Sequence, residues 1–205
     1  MDPGTVAAFL AVDLLLVFTP GADWAYAIAA GLRDRSVLPA VTGLVAGYAG
    51  HTLLAVAGLV VLVARSASLL TALTVLGAGY LVWLGWSVLA RPARPLASTD
   101  ATASSPWQIT LKGAGVSGLN PKALLLYLSL LPQFINPGAD WPVAAQTGLF
   151  GTLHMASCAV VYLAVGVLAR TVLQARPAAA RVVTRATGAM MIAIGGFLLL
   201  ERLTG

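Results

Sequence analysis

The stretch GLNPKALLLY, residues 118 to 127, sets Asn120, Pro121 and Lys122 together inside a strongly apolar run. A lysine held in hydrocarbon costs about 2.5–3.5 kcal/mol on insertion scales, so Lys122 calls for an anionic partner. Asp13 and Asp23 are the internal candidates and a substrate carboxylate is the external one. A lysine stem that reaches out to the membrane surface is the plainer alternative. Asp13, within LAVDLLLVF, has little reason to be there unless it faces the interior, where it is a candidate proton carrier. Asp23 follows Thr19-Pro20 by one helical turn and suits either a helix cap or a cation. His51 and His154 could relay protons near neutral pH, or be buried histidines bonded to a neighbouring helix.

The elements that must position these groups follow from composition. The chain has 205 residues, 59 % hydrophobic and 9 % charged, with a mean hydropathy of +0.90, far too little charge for a soluble surface. Six apolar runs, near residues 4 to 30, 38 to 64, 68 to 90, 109 to 135, 143 to 169 and 180 to 201, are long enough to span a bilayer. They are continuous rather than alternating, so the expected fold is an all-α membrane protein with six transmembrane helices. The start of the chain lacks a basic stretch, and the first run is expected to be retained.

Arginines set the expected orientation. Arg33, Arg35, Arg91, Arg94, Arg170, Arg176, Arg181 and Arg185 flank the odd-to-even loops, which predicts those loops in the cytoplasm and both termini outside. The net charge of +5 is mostly this asymmetry. These arginines are spread over short loops without interleaved aromatics, which disfavours a nucleic-acid partner. Residues 91 to 107, rich in Pro, Ala, Ser and Thr, read as a flexible cytoplasmic linker. It divides residues 1 to 90 from 108 to 205, three spans each, and an odd number per half makes the halves inverted repeats within one transmembrane domain.

Matched features support the repeat. Thr19-Pro20 interrupts the first span and Asn120-Pro121 the fourth; Tyr26 and Tyr127 each stand six residues after the proline, and Gly47 and Gly148 twenty-seven after it. Proline lacks a backbone donor and fits the first turn of a helix, with Thr or Asn as the cap before it. Each pair therefore marks a new helix starting within the membrane, its unpaired donors facing protein or a water-filled cavity. The glycines of GLVAG, residues 43 to 47, form a close helix-packing motif within the fold, with a homodimer contact as the alternative.

The segments FTPGADWAYAIAAGL, GYAGHTLLAVAGLVVLVA, GAGYLVWLGWSVLAR and GLNPKALLLYLSLLPQF, in this order and spacing, resemble the LysE/RhtB family of bacterial amino-acid exporters. The resemblance covers residues 10 to 135 well and the last 70 weakly, and LNPKA followed by LPQF is its most specific piece. It implies export of an amino acid or close relative, by exchange with protons. The family's motifs fall on Pro20, Gly21 and Asp23, and on Asn120, Pro121 and Lys122. Two positions depart from the pattern: Ala22 replaces the usual second proline, and Asp13 stands where an apolar residue is expected. The candidate substrate-binding set is thus Pro20, Gly21, Asp23, Asn120, Pro121, Lys122 and Tyr127, and the proton-coupling candidates are Asp13, Asp23, His51 and His154.

Rival classes have less to stand on. No HExxH, G-x-S-x-G or Ser/His/Asp set points to an enzyme, and no cofactor is called for. A cation or metal exporter is the closer alternative, but the two histidines, the single Cys158 and the lack of Glu inside the spans, save Glu201 at the very end of the sixth, make a poor transition-metal site. Cys158 reads as a small buried residue.

Overall fold

The computed structural model describes residues 2–19, 21–33, 36–58, 67–90, 105–173 and 176–204. Pro20 and residues 91–104 of the expected linker lie outside them. The described elements are helical throughout.

The first expected span is two helices. In α1 (Pro3–Phe18), Asp2 caps the start, accepting from Thr5 N at 2.9 Å, with proline in the first turn. The helix ends where it meets Pro20. Thr19 takes an extended backbone (φ −71°, ψ 117°), as the residue before a proline should. The chain resumes in α2 (Ala22–Arg33), with Asp23 in its first turn and Arg33 in its last, both matching the helix dipole. α1 and α2 meet at 58°.

The fourth span breaks the same way. α5 (Pro106–Gly118) starts at a reciprocal cap in which Ser105 Oγ accepts from Gln108 N and Gln108 Oε1 accepts from Ser105 N. After it, Asn120 takes φ −74° and ψ 115°, almost the dihedrals of Thr19, and caps α6 (Pro121–Leu125). α6 widens into a π turn, Leu126–Leu130, and tightens into a 3-10 turn, Leu131–Phe134. The two parts of this span meet at 56°.

The remaining elements are α3 (Leu38–Val56), α4 (Ala67–Ala90), α7 (Val143–Leu168, continued by a π turn to Leu173) and α8 (Pro177–Thr204). Helices lie in each of the expected apolar runs; of the second, drawn to residue 64, α3 is described to Val56, with Gly58 beyond it at φ 75°, and residues 59–64 lie outside the described residues. By length and apolarity α3, α7 and the two bent pairs each suit a membrane crossing. The surface agrees: Leu53, Trp83, Trp86, Val160 and Phe197 are exposed, which suits lipid rather than water.

Packing follows small residues. α3 lies against α5 with Gly43 and Gly47 on Thr110, Gly113 and Ser117, so the GLVAG motif serves this internal seam, as the sequence suggested. α4 meets α8 at Gly85 and Gly188, and α2 meets α7 at Gly31 and Gly166. Between α1, α7 and the 3-10 turn, Phe9, Phe134 and Phe150 stack with centroids 4.6–6.0 Å apart.

Candidate functional site

The two breaks are bound to each other. Asn120 uses both ends of its amide: Oδ1 accepts from Lys122 N at 3.0 Å to cap α6, while Nδ2 donates to Asp23 Oδ2 at 2.9 Å, at the start of α2. Asp23 is buried and also accepts from Tyr48 OH on α3 (2.8 Å), Ser117 Oγ on α5 (2.8 Å) and Tyr162 OH on α7 (3.4 Å). Four neutral donors from different elements therefore converge on one carboxylate. Such donors satisfy a carboxylate whose burial would otherwise be costly.

Lys122 is placed differently from expectation. Among the described residues its hydrogen-bond partners are the carbonyl oxygens of Leu16 and of Thr19, the latter at 2.9 Å, rather than Asp13 or Asp23. The physical reason is the break. At the break Leu16 O accepts only from Thr19 N in a tightened last turn, which leaves it room for a second donor, and the negative end of the α1 dipole attracts a cation. The neighbouring carbonyls are satisfied too, Leu15 O by Thr19 Oγ1 (2.8 Å) and Val17 O by Trp24 Nε1 (2.8 Å). Lysine opposes the dipole of its own helix but complements that of α1.

Gly21 accepts from Ala25 N at 3.0 Å, and a side chain there would meet open space. Pro121 opens α6 as expected. Tyr127 is buried, its OH 2.7 Å from Thr52 Oγ1 and donating to Tyr48 O at 3.3 Å. Its hydroxyl serves α3 and is not one of the donors on Asp23.

The histidines split. His51 on α3 donates from Nε2 to Ser117 O (3.2 Å), the reading of a buried histidine bonded to a neighbouring helix. His154 on α7 places Nδ1 2.6 Å from Asp13 Oδ1; the two residues are 3 % and 0 % exposed. Asp13 Oδ2 is buried with no hydrogen-bond partner among the described residues, and Cys158 Sγ lies 3.5 Å from His154 Nε2.

Between the Asp23 cluster and this pair lies a cavity of about 10 Å³, lined by Leu16, Tyr48, Lys122, Leu126, His154 and Tyr162 among others. That is room for about one water, far less than an amino acid needs. Among the described residues, no three His, Cys, Asp or Glu side chains are grouped to hold a metal ion.

Tyr48, Ser117, Tyr162 and Cys158 are site residues that the sequence reading did not select. A signal was there: Tyr48, His51 and Thr52 share one face of α3, and His154, Cys158 and Tyr162, four residues apart, form a polar stripe along α7.

Two bent helix pairs, each long and apolar enough to be one membrane span, meet at a buried polar cluster with a cavity beside it, an arrangement that suits a membrane transporter. The chain belongs to the LysE type translocator family, whose model matches residues 14–202; it is a transporter and not an enzyme. It is 34 % identical over 152 residues to an uncharacterized membrane protein of Vibrio cholerae, covering 73 % of this chain and 74 % of that one. It is similar to a leucine efflux protein of Klebsiella pneumoniae (30 % identity, 73 % and 72 % covered). It is also similar to a homoserine/homoserine lactone efflux protein of Salmonella typhimurium (26 % identity, 93 % and 94 % covered). No solved structure matches it significantly.

Proposed function

We propose that this protein is a secondary active exporter of amino acids or related small zwitterions, exchanging them for protons by alternating access around the two helix breaks. The observation that carries the reading is the crossing of the breaks: Asn120 of one is bonded to Asp23 beside the other, and Lys122 lines the cavity next to them. Pro20, Gly21, Asp23, Asn120, Pro121, Lys122 and Tyr127 form the substrate region of this proposal. A substrate carboxylate can replace the α1 carbonyls on Lys122, and its ammonium group finds the net negative side of the cavity. The names of the leucine and homoserine efflux relatives support the substrate class.

The cavity is too small for an amino acid, so binding requires the two halves to separate, which is what alternating access supplies. We read the halves as inverted three-helix repeats, residues 1–90 and 108–205. Two features support this: the near-identical dihedrals of Thr19 and Asn120, and the way each second helix sends its histidine to the first segment of the opposite half. The protein then sits in the bacterial inner membrane with both termini outside and the linker in the cytoplasm, and the arginine distribution supports that orientation.

The test is thermal stabilisation of the detergent-purified protein by the twenty amino acids and common divalent metals, repeated with Lys122→Ala. Stabilisation by an amino acid that weakens at least about tenfold in affinity in the variant, a loss of about 1.4 kcal/mol, is the expected result. Stabilisation by a metal alone would replace the reading with cation export.

A further inference from the structure

Four groups in this core could carry the exchanged proton, and their surroundings differ. Asp23 already accepts from four side chains, one on Oδ1 and three on Oδ2, so its carboxylate is well satisfied without a proton. His51 has Nε2 committed as a donor to the Ser117 carbonyl. Lys122 is held as a cation by the carbonyls of Leu16 and Thr19. Asp13 and His154 instead share one hydrogen bond of 2.6 Å, buried, and the second carboxylate oxygen has no partner among the described residues.

We propose that the Asp13–His154 pair is the proton-carrying element of the exchange, holding one proton that the ammonium group of a substrate entering the adjoining cavity displaces. This rests on the exporter reading above and says which of its groups does the coupling.

The chemistry is a single proton transfer. Without the extra proton, His154 Nδ1–H donates to ionised Asp13 and the pair carries one negative charge. With it, imidazolium faces carboxylate and the pair is neutral. The proton arrives from the adjoining cavity at His154 Nε2, beside Cys158 Sγ. His154 lines the cavity, so an ammonium group there and an imidazolium at His154 compete for the single charge of Asp13. Binding one expels the other, and that is antiport.

The other ionisable groups around the pair either keep their role in both states or are hard to charge. Tyr48 and His51 come from α3, with the Tyr48 ring 4.6 Å from that of His154. Tyr127 comes from the π turn, 6.0 Å ring to ring. Cys158 and Tyr162 share α7 with His154, Asp23 faces the cluster from α2, and Lys122 shares the cavity. Lys122 and Asp23 contribute opposite charges. The net change therefore falls on the pair.

The test uses the full chain in liposomes with radiolabelled leucine and, separately, homoserine. Two readouts are needed: counterflow without a pH gradient, and accumulation driven by an acidic interior. One-to-one exchange sustains about a tenfold substrate gradient for each pH unit. Wild type should show both. Asp13→Asn should bring accumulation down to equilibration, with any remaining counterflow showing a raised KM because the substrate ammonium has lost its partner, whereas His51→Gln should retain accumulation. Accumulation by Asp13→Asn equal to wild type overturns the proposal, as does loss of coupling in His51→Gln alone.

A second measurement needs no variant. Substrate added to weakly buffered wild-type protein should release about one proton per site, read with an indicator dye, and no release overturns the proposal. If wild type shows counterflow but no proton-driven accumulation, this inference fails while the export reading stands. If wild type shows no counterflow with either amino acid, both fall.

Discussion

Asn120 Nδ2 donates to Asp23 Oδ2 across 2.9 Å, tying the residue that starts one half-helix to the first turn of another, 97 residues away in sequence. The same amide caps its own helix through Oδ1. One side chain therefore sets both the direction of α6 and its distance from α2.

The two jobs can be separated. Asn120→Ala loses the cap, worth about 0.5–2 kcal/mol, and withdraws a donor from a buried carboxylate, about 1–3 kcal/mol more. Asn120→Ser keeps a capping oxygen but is too short to reach Asp23 as the amide does. In detergent, melting temperature should fall in the order wild type, Ser, Ala. Counterflow should suffer in both variants, since both release the Asp23 tie. A serine variant with wild-type transport would show that this bond is structural only.

Lys122 should be sensitive to charge and to shape. Lys122→Met removes the cation from the α1 carbonyls, worth about 0.3–1 kcal/mol of dipole interaction and up to about 2 kcal/mol where partly buried. Lys122→Arg keeps the charge but spreads it over a larger planar group. Stability should fall modestly in both. The apparent KM for amino-acid counterflow should rise much more in Met than in Arg. Equal KM values in wild type and Met would remove Lys122 from substrate recognition.

How much of this is legible in the sequence depends on the range of the interaction. Both breaks are legible because proline and its preceding residue act locally: Thr19 and Asn120 take the extended backbone that an X-Pro pair demands. The glycine seam of α3 is legible for the same reason, as small residues at helical spacing need no knowledge of the partner. The partner of Lys122 is not legible, because backbone carbonyls at a break, 103 and 106 residues upstream, leave no mark in composition. The convergence of Tyr48, Ser117, Asn120 and Tyr162 on Asp23 is likewise a property of how four elements pack. Asp13 stands out as a charge in an apolar run, yet choosing His154 over Lys122 as its partner requires the packing of α7 on α1.

At the start of the chain, the Asp2 carboxyl is held below the ordinary carboxylate range, chiefly by the backbone N–H of Thr5 and then by that of Gly4. A depressed folded value means that the ionised cap stabilises above the unfolded value, about 3.9, and that this contribution is lost as pH falls through the folded value. The melting-temperature difference between wild type and Asp2→Ala should be flat from about pH 7 to about pH 5, then shrink as the acid end of that range is passed. Amino-acid transport should not respond, since Asp2 is exposed at the far end of α1. A difference unchanged at about pH 3 would mean the cap does not depend on ionisation.

The α3–α5 seam offers a test within one helix. A Cβ on Gly47 would sit 2.7 Å from Gly118 N and 2.7 Å from Ser117 Cβ, whereas one on Gly50, three residues on, would meet nothing within 4 Å. Gly47→Ala must push the two helices apart, and overpacking of this kind costs about 1–3 kcal/mol. Gly50→Ala only gains helix propensity, up to about 1 kcal/mol in the opposite direction. The two substitutions are chemically identical, so membrane insertion and side-chain hydrophobicity cancel in the comparison. Gly47→Ala also displaces Ser117, which carries one of the four donors to Asp23, so it should lower counterflow along with melting temperature. Gly50→Ala should leave counterflow intact and hold or raise the melting temperature. If both variants behaved alike, α3 and α5 would not be in backbone contact, and the route by which Ser117 reaches Asp23 would have to be redrawn.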